Sequence, residues 1–239
     1  MRKIIVILFL FCIAFSEWQQ SAEIALPRGI QINDLTIDNS GDVWFISASS
    51  ILKLEPTSKE PILIQEISDG KLLATYGEKI YFIRNNRLST FSLDKENIKE
   101  EPDFVLNMPN QIAAVDADNK PVVVVLETDG LTFIDEGKTA GSLSLVANKF
   151  TVIPSANYAD AQTPFFTLAN NRVYSWTGGI YKNPENYHDK LLYSSSGNIL
   201  DLSAGRTGNI YLLFSDSIVV LGKEGEYKLA VIEADRLLD

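Results

Sequence analysis

Side chains suited to catalysis or metal binding are few in this sequence. It contains one histidine, His188, and one cysteine, Cys12, and it has no repeated acidic loop of the calcium-binding type. Asp189 follows His188, and an imidazole beside a carboxylate can act as a general base or a metal ligand. The surrounding Pro-Glu-Asn-Tyr-His-Asp sequence is more typical of an exposed loop. We therefore predict no catalytic residue and no metal site.

A second group of polar residues begins or precedes short apolar segments along the chain: Asn33, Asp34, Asn110, Gln111 and Asn198. Most are amides, which hydrogen-bond polar ligands but supply little charge for a metal ion. We predict that this group binds a ligand. The alternative depends on Asp34, Asp69 and Asp201, because carboxylates that converge could hold a divalent cation or act as an acid–base pair.

Three tyrosines lie in the longest irregular stretch, at about residues 155–189: Tyr158, Tyr181 and Tyr187. Long loops on a rigid scaffold commonly carry binding surfaces. Tyrosine with neighbouring asparagine and proline suits contact with a protein or a sugar. We therefore predict these three tyrosines as binding residues.

The first residues have the pattern of a secretory signal peptide. Arg2 and Lys3 precede twelve apolar residues, and Ala14 and Ser16 place small residues before a cleavage site after Ser16. We expect a signal peptide at 1–16, a lead segment at 17–30 and one domain at 31–239, in a protein exported to the periplasm or the extracellular space. An uncleaved membrane anchor remains open. Cleavage would leave no cysteine and would make the net charge more negative, from −10 to −12.

Composition excludes some classes of function. The chain has 239 residues, 46% of them hydrophobic, which suits one globular domain. Its net charge of −10 argues against a nucleic-acid partner, because such a surface does not neutralise phosphates.

From residue 31 onward the sequence repeats one plan of short β-strands separated by Gly, Asn, Asp and Ser turns. The second strands of the repeats centre on Trp44, Tyr81, Val123, Phe166 and Tyr211, with spacings of 37, 42, 43 and 45 residues. A four-stranded propeller blade takes about 40–45 residues. The sequence therefore predicts an all-β fold, a five-bladed β-propeller of four-stranded antiparallel blades. A β-sandwich with evenly spaced strands is the alternative.

The fourth strands of the predicted blades are expected at residues 62–67, 103–107, 143–147, 190–193 and 227–233. The first strand of the fourth blade has the least regular pattern. The charged segment 95–102 is interpreted as a solvated loop between blades.

One short motif resembles known propeller families. Residues 38–45, Asp-Asn-Ser-Gly-Asp-Val-Trp-Phe, are similar to the core of NHL-like, SMP-30-like and two-component-regulator-type blades, and residues 208–212 echo them. The resemblance implies the propeller fold. It carries little about activity, since propellers host enzymes and pure scaffolds alike. In SMP-30-like enzymes, acidic and amide side chains near the central channel hold a divalent cation. We predict no cofactor for this chain, with such a cation as the alternative that the resemblance implies.

The sequence favours an exported, non-catalytic propeller that binds a protein or polysaccharide partner, acts as a monomer and does not insert stably in a membrane after signal cleavage. The alternative is an SMP-30-like lactonase or lyase, or a glycosidase, with a divalent cation or carboxylates in the channel. A third hypothesis is that five blades do not close, so that a second chain completes a larger ring.

Overall fold

The computed structural model describes residues 30–38, 40–93, 97–154, 156–179, 187–222 and 228–233. These residues form five antiparallel four-stranded sheets, which we call blades 1 to 5. Blade 1 has β1 (Ile32–Ile37), β2 (Val43–Ser47), β3 (Ser50–Leu54) and β4 (Ile62–Glu66). Blade 2 has β5 (Gly70–Tyr76), β6 (Lys79–Arg84), β7 (Arg87–Ser92) and β8 (Asn97–Val105). Blade 3 has β9 (Gln111–Asp116), β10 (Pro121–Glu127), β11 (Gly130–Asp135) and β12 (Lys138–Ser144). Blade 4 has β13 (Lys149–Val152), β14 (Phe165–Ala169), β15 (Arg172–Thr177) and β16 (His188–Ser194). Blade 5 has β17 (Asp201–Ala204), β18 (Ile210–Leu213), β19 (Ser217–Leu221) and β20 (Lys228–Glu233).

Each blade keeps its strands in chain order, so every strand pairs with the strand that precedes or follows it. The first strands of successive blades lie against one another, β1 beside β5, β5 beside β9, β9 beside β13 and β13 beside β17. These inner strands surround the axis of the ring. The prediction of a five-bladed, all-β propeller is confirmed.

The second strands explain the repeat that is visible in the sequence. All five residues of β2 are buried, and so are residues 122–127 of β10. A second strand lies between two neighbouring blades and is covered on both faces, so it needs a continuous apolar run instead of alternation. The fourth strands lie at the rim, and Ile62 and Leu63 of β4 are more than half exposed.

Four of the five blade interfaces contain a shared hydrophobic core. Trp44 of blade 1 packs with Phe82 of blade 2, and Ile83 of blade 2 packs in one cluster with Val125 of blade 3. Further cores join blade 3 to blade 4 and blade 4 to blade 5. At each of these interfaces, apolar side chains on the facing surfaces of two neighbouring blades pack together.

The seam between blade 5 and blade 1 is different. The face of blade 1 that points away from blade 2 carries its own buried cluster, formed by Val43, Phe45, Leu52 and Leu54, on which Ile30 and Ile32 pack. Among the described residues this cluster includes none from blade 5. On the same face, Leu35 and Ile37 are 40% and 48% exposed. Within the described residues, blades 5 and 1 therefore share no hydrophobic core of the kind that joins the other neighbouring blades.

The turn between β1 and β2 gives the family-like motif a physical basis. The Asp38 carboxylate accepts hydrogen bonds from the backbone N–H of Ser40 at 2.8 Å and of Asp42 at 3.1 Å, and from the Trp44 indole N–H at 2.9 Å. Gly41 has a φ of +87°, which glycine adopts at little cost. One aspartate therefore fixes the turn and orients the buried tryptophan that follows it.

Two expectations about strands were wrong. Strand β8 covers Asn97–Val105, so most of the charged segment expected to be a loop is a rim strand, and β12 begins five residues before the expected segment. A rim strand pairs with a neighbour along one edge only and does not require a continuous apolar sequence, so its position is harder to predict. The predicted strand 227–233 is observed as Lys228–Glu233, and Tyr227 lies outside the described residues. In the part of the chain that the structure describes, no helix has the length and apolar character needed to cross a bilayer.

Candidate functional site

The inner strands begin with polar residues at one end of the ring, which we call the channel entrance. All five blades have the same strand order, and the fourth strand of each leads to the inner strand of the next. The inner strands therefore run in the same direction. Asn33 and Asp34 of β1, Gln111 of β9, Lys149 of β13 and Asp201 of β17 lie near these starts.

Asp34 and Asn33 connect blade 1 to blade 2. One carboxylate oxygen of Asp34 accepts the N–H of Leu35 at 2.9 Å, and the other accepts the N–H of Leu73 on β5 at 2.9 Å. The side-chain amide of Asn33 donates to the carbonyl of Gly70 at 2.6 Å. Both side chains satisfy backbone groups at the free edge of the neighbouring inner strand.

Gln111 makes the same connection between blades 3 and 4. Its amide nitrogen donates to the carbonyl of Phe150 at 2.7 Å, and its amide oxygen accepts the N–H of Phe150 at 2.8 Å. The side chain thus imitates one pair of a β-ladder across two inner strands.

Two further contacts complete a series. The Tyr76 hydroxyl of blade 2 donates to the Asp116 carboxylate of blade 3 at 2.8 Å, and the Thr151 hydroxyl of blade 4 accepts the N–H of Ala204 of blade 5 at 3.1 Å. Burial, the hydrogen bond to Asp116 and the negative charge of Asp116 together raise the pKa of Tyr76 to about 12. Every interface that has a shared core therefore also has a side-chain hydrogen bond between inner strands.

The structure brings two of the three carboxylates of interest together. Lys149 Nζ lies 3.6 Å from Asp201 Oδ1, which also accepts the N–H of Leu202 at 2.9 Å. Burial raises the pKa of Asp34; the negative charge of Asp201 adds to this rise, while the N–H groups of Leu73 and Leu35 and the charge of Lys149 oppose it. Asp34, Lys149 and Asp201 thus form one electrostatic group at the entrance.

Asp69 does not belong to that group. Its carboxylate lies 3.5 Å from Lys71 Nζ and accepts the N–H of Asn85 at 3.1 Å, which places it on the turns of blade 2. Over the described ranges, no group of three His, Cys, Asp or Glu side chains is placed to hold a metal ion. His188 begins the rim strand β16, is exposed and pairs with Thr177, so it lies on a strand and not in the expected loop.

The other predicted binding residues have varied positions. Asn110 and Asn198 are exposed, and the backbone N–H of Asn110 donates to the carbonyl of Leu126 at 2.9 Å. Tyr181 lies outside the described residues.

Tyr158 and Tyr187 lie in the core, and their predicted placement on a loop surface was wrong. Tyr158 is 2% exposed, and its hydroxyl donates to the Pro164 carbonyl at 3.1 Å and accepts the Ile153 N–H at 2.6 Å. Tyr187 is 8% exposed and stacks on Phe133 with a ring-centroid distance of 5.9 Å. Burial raises the pKa of Tyr187 to about 12. Both rings fill space in the hydrophobic core between blades 3 and 4.

The sequence did not reveal that the entrance side chains join blades. A polar residue at the start of an inner strand is equally suited to bind a ligand or to cap the next strand, and the residue types do not distinguish these roles. Only the position of the free backbone edge of the next blade decides between them.

Comparison with known proteins supports the fold. No protein-family model matches the sequence, and no curated protein matches it. Solved structures do match: a chain of a nidogen/laminin complex has a TM-score of 0.61 at 16% identity, with coverage of 87% of this chain and 82% of that chain. Virginiamycin B lyase from Staphylococcus aureus has a TM-score of 0.57 at 15% identity, with coverage of 84% and 69%. Regucalcin from Agrobacterium tumefaciens, described as a calcium-binding protein, has a TM-score of 0.61 at 14% identity, with coverage of 85% and 74%. At these identities the likeness establishes a shared propeller fold, in which both binding proteins and enzymes occur.

Proposed function

We propose that the protein is an exported, non-catalytic β-propeller, a monomer that binds a protein or polysaccharide partner. The observation that carries this proposal is the use of the entrance side chains. Asn33, Asp34 and Gln111 each hydrogen-bond the backbone of the neighbouring inner strand. Side chains committed to holding the ring are poor candidates for turnover, because a reaction would have to break those bonds.

The nidogen/laminin match supports a binding role by analogy of fold, since that propeller occurs in a protein–protein complex. Export is supported by the basic start and apolar run of residues 1–16. The segment at 17–30 then leads into the propeller domain at 31–239.

The proposal is tested with the full chain produced in a bacterial host. The amino terminus of the exported product is sequenced and is expected at Glu17. The isolated protein is then incubated with envelope extract and with an array of glycans. Reproducible retention of one protein or one glycan class that is unchanged by a metal chelator supports the proposal. Loss of retention on chelation, or a product that stays in the cytoplasm, contradicts it.

A lactonase, lyase or glycosidase is the second candidate, favoured by the group of Asp34, Asp201 and Lys149 at the entrance. This candidate requires Asp201, whose carboxylate is about half exposed, to contact a substrate. Asp201→Asn is expected to keep both fold and partner binding under the first proposal. Turnover of a lactone or glycoside that disappears in Asp201→Asn would establish the second.

A further inference from the structure

A cleft of about 630 Å³ separates the outer parts of blades 2 and 3. This volume falls within the range of about 300–1,000 Å³ typical of ligand sites. Blade 2 contributes Lys79, Thr90 and Ser92, and blade 3 contributes Lys120 and Pro121. None of the residues that line the cleft belongs to the entrance group of Asp34, Lys149 and Asp201.

A substitution between repeats explains why the cleft exists. The turn pairs Arg84–Arg87 and Glu127–Gly130 align β7 with β11, so that Thr90 corresponds to Phe133. At the interface of blades 3 and 4, Phe133 is 1% exposed and stacks on Tyr187. At the interface of blades 2 and 3, the smaller Thr90 takes that position and lines open space. The cleft is thus the place where an aromatic filler is missing.

Among the described residues that line the cleft, positive charges outnumber negative ones. Lys79, Lys99 and Lys120 lie there against Asp135 and Glu136, in a protein of net charge −10. Within the described ranges neither Lys79 nor Lys120 takes part in an ion pair. Lysines on facing walls favour an anionic ligand, and the local field would draw that ligand to the cleft.

We propose that this cleft binds an extended acidic segment of a protein partner, with a carboxylate between Lys79 and Lys120. The proposal rests on the binding role proposed above and assigns it to a surface. The hydroxyls of Thr90 and Ser92 can hydrogen-bond a peptide backbone, and Pro121 and the lysine methylenes provide apolar contact.

A peptide suits the cleft better than a sugar. Sugar rings are commonly held by stacking on exposed aromatic faces, and the aromatic residue in the lining, Tyr81, is only 7% exposed. Hydroxyl groups on one wall and lysines on both walls instead suit an extended chain with alternating acidic and apolar side chains.

The test uses the full chain and a fluorescent peptide of alternating Glu and Leu. Its binding is measured by fluorescence anisotropy, beside the same peptide with Gln for Glu and beside an oligogalacturonate. The Glu peptide is expected to bind, to weaken as salt rises from about 20 to about 300 mM, and to outcompete both other probes. Tighter binding of the oligogalacturonate, or equal binding of the Gln peptide, overturns the proposal.

Variants locate the site. The double variant Lys79→Glu with Lys120→Glu is expected to weaken peptide binding about tenfold or more, because two attractive contacts become repulsive. Lys59 is an exposed lysine in a loop of blade 1, and Lys59→Glu makes the same charge change as each single substitution of the pair; it is expected to leave binding unchanged. Thr90→Phe fills the cleft and is expected to abolish binding while the midpoint of thermal unfolding is kept.

The outcomes separate this inference from the function on which it rests. If Thr90→Phe fails to fold, the lysine variants decide alone. If the lysine variants retain the partner found in envelope extract and the peptide, the binding function stands and the cleft is excluded. If neither the peptide nor any partner binds the wild type, both proposals fail.

Discussion

Replacing Gln111 by glutamate tests the inter-blade hydrogen bonds most directly. Gln111→Glu keeps the size of the side chain but exchanges its N–H donor for a second acceptor. The amide now donates to the Phe150 carbonyl at 2.7 Å and accepts the Phe150 N–H at 2.8 Å. In the variant the carboxylate still accepts the N–H, while its other oxygen faces the carbonyl oxygen.

The size of the effect has two bounds. Losing one hydrogen bond and leaving a half-buried carbonyl unpaired costs about 1–3 kcal/mol of unfolding free energy. The new carboxyl can instead take up a proton, which restores the hydrogen-bond donor. For a group with an ordinary pKa near 4.3, this protonation costs about 3.7 kcal/mol at pH 7 and sets the upper bound. We therefore expect Gln111→Glu to destabilise the protein by about 1–3 kcal/mol at neutral pH, and by no more than about 3.7 kcal/mol.

The same change predicts a pH dependence. The carbonyl favours the protonated form of the introduced carboxyl, so its pKa is higher in the folded than in the unfolded protein. The stability that this group contributes is present below its unfolded pKa and is lost as pH rises through its folded pKa. The deficit of Gln111→Glu relative to wild type should therefore shrink as pH falls toward about 4.

Urea-induced unfolding of both proteins, followed by tryptophan fluorescence between about pH 4 and pH 8, measures this difference. Gln65→Glu is the control, because the Gln65 amide is exposed and donates only to the adjacent Glu66 carbonyl at 2.9 Å. The control should change stability by less than about 0.5 kcal/mol. Equal stability of Gln111→Glu and wild type at all pH values would refute the bridging role of Gln111.

Three further outcomes are expected. Asp38→Ala removes three hydrogen bonds, from Ser40, Asp42 and Trp44, and should lower the free energy of unfolding in urea by about 2–4 kcal/mol. Asp160→Ala loses one hydrogen bond, from the Gln162 N–H, and should cost less than about 1 kcal/mol. Similar losses in the two variants would contradict the role of Asp38 in the turn. Gly130→Ala places a methyl group 2.1 Å from the Leu143 carbonyl oxygen at a φ of +150°, and it should lower the free energy of unfolding by about 3 kcal/mol or more and the thermal midpoint with it. Gly222→Ala, with open space around it, should leave the midpoint unchanged. Unchanged unfolding of Gly130→Ala would show that β11 and β12 can separate at this position. Because the pKa of Asp34 is raised in the folded protein, the stability that this group contributes is present below pH 3.8, its ordinary pKa, and is lost as pH rises through the folded pKa. Asp34→Asn does not titrate and should therefore gain stability relative to wild type as pH rises above 3.8. A stability difference that is constant with pH would exclude the effect of burial on Asp34.

The fold could be predicted from the sequence because propeller blades repeat one physical problem. Each second strand is covered on both faces, so runs such as residues 122–126 are continuously apolar, and they recur at blade spacing. Rim strand β8 could not be placed well, since its sequence includes Lys99 and a run of charged residues and has no continuous apolar segment. Inner strand β13 has four residues, too few for a pattern.

The candidate site was predictable in position but not in role. Asn33, Asp34 and Gln111 lie at the channel entrance, where inner strands begin, but their partners are backbone groups about 37 to 39 residues away in sequence. Tyr158 and Tyr187 were misplaced for a related reason. A loop rich in Asn, Asp and Pro reads as solvent-exposed, and nothing local shows that its aromatic rings reach an open blade interface.

The seam between blades 5 and 1 has a mechanical consequence. Four interfaces carry shared cores and side-chain hydrogen bonds, whereas the described residues of blades 1 and 5 share no core. Energetically, the ring therefore resembles a linear array of coupled units with two ends. Under thermal fluctuation or pulling force, the blades should part first at the seam, and amide hydrogens of blades 1 and 5 should exchange before those of blade 3. Opening at the seam would leave the four shared cores intact.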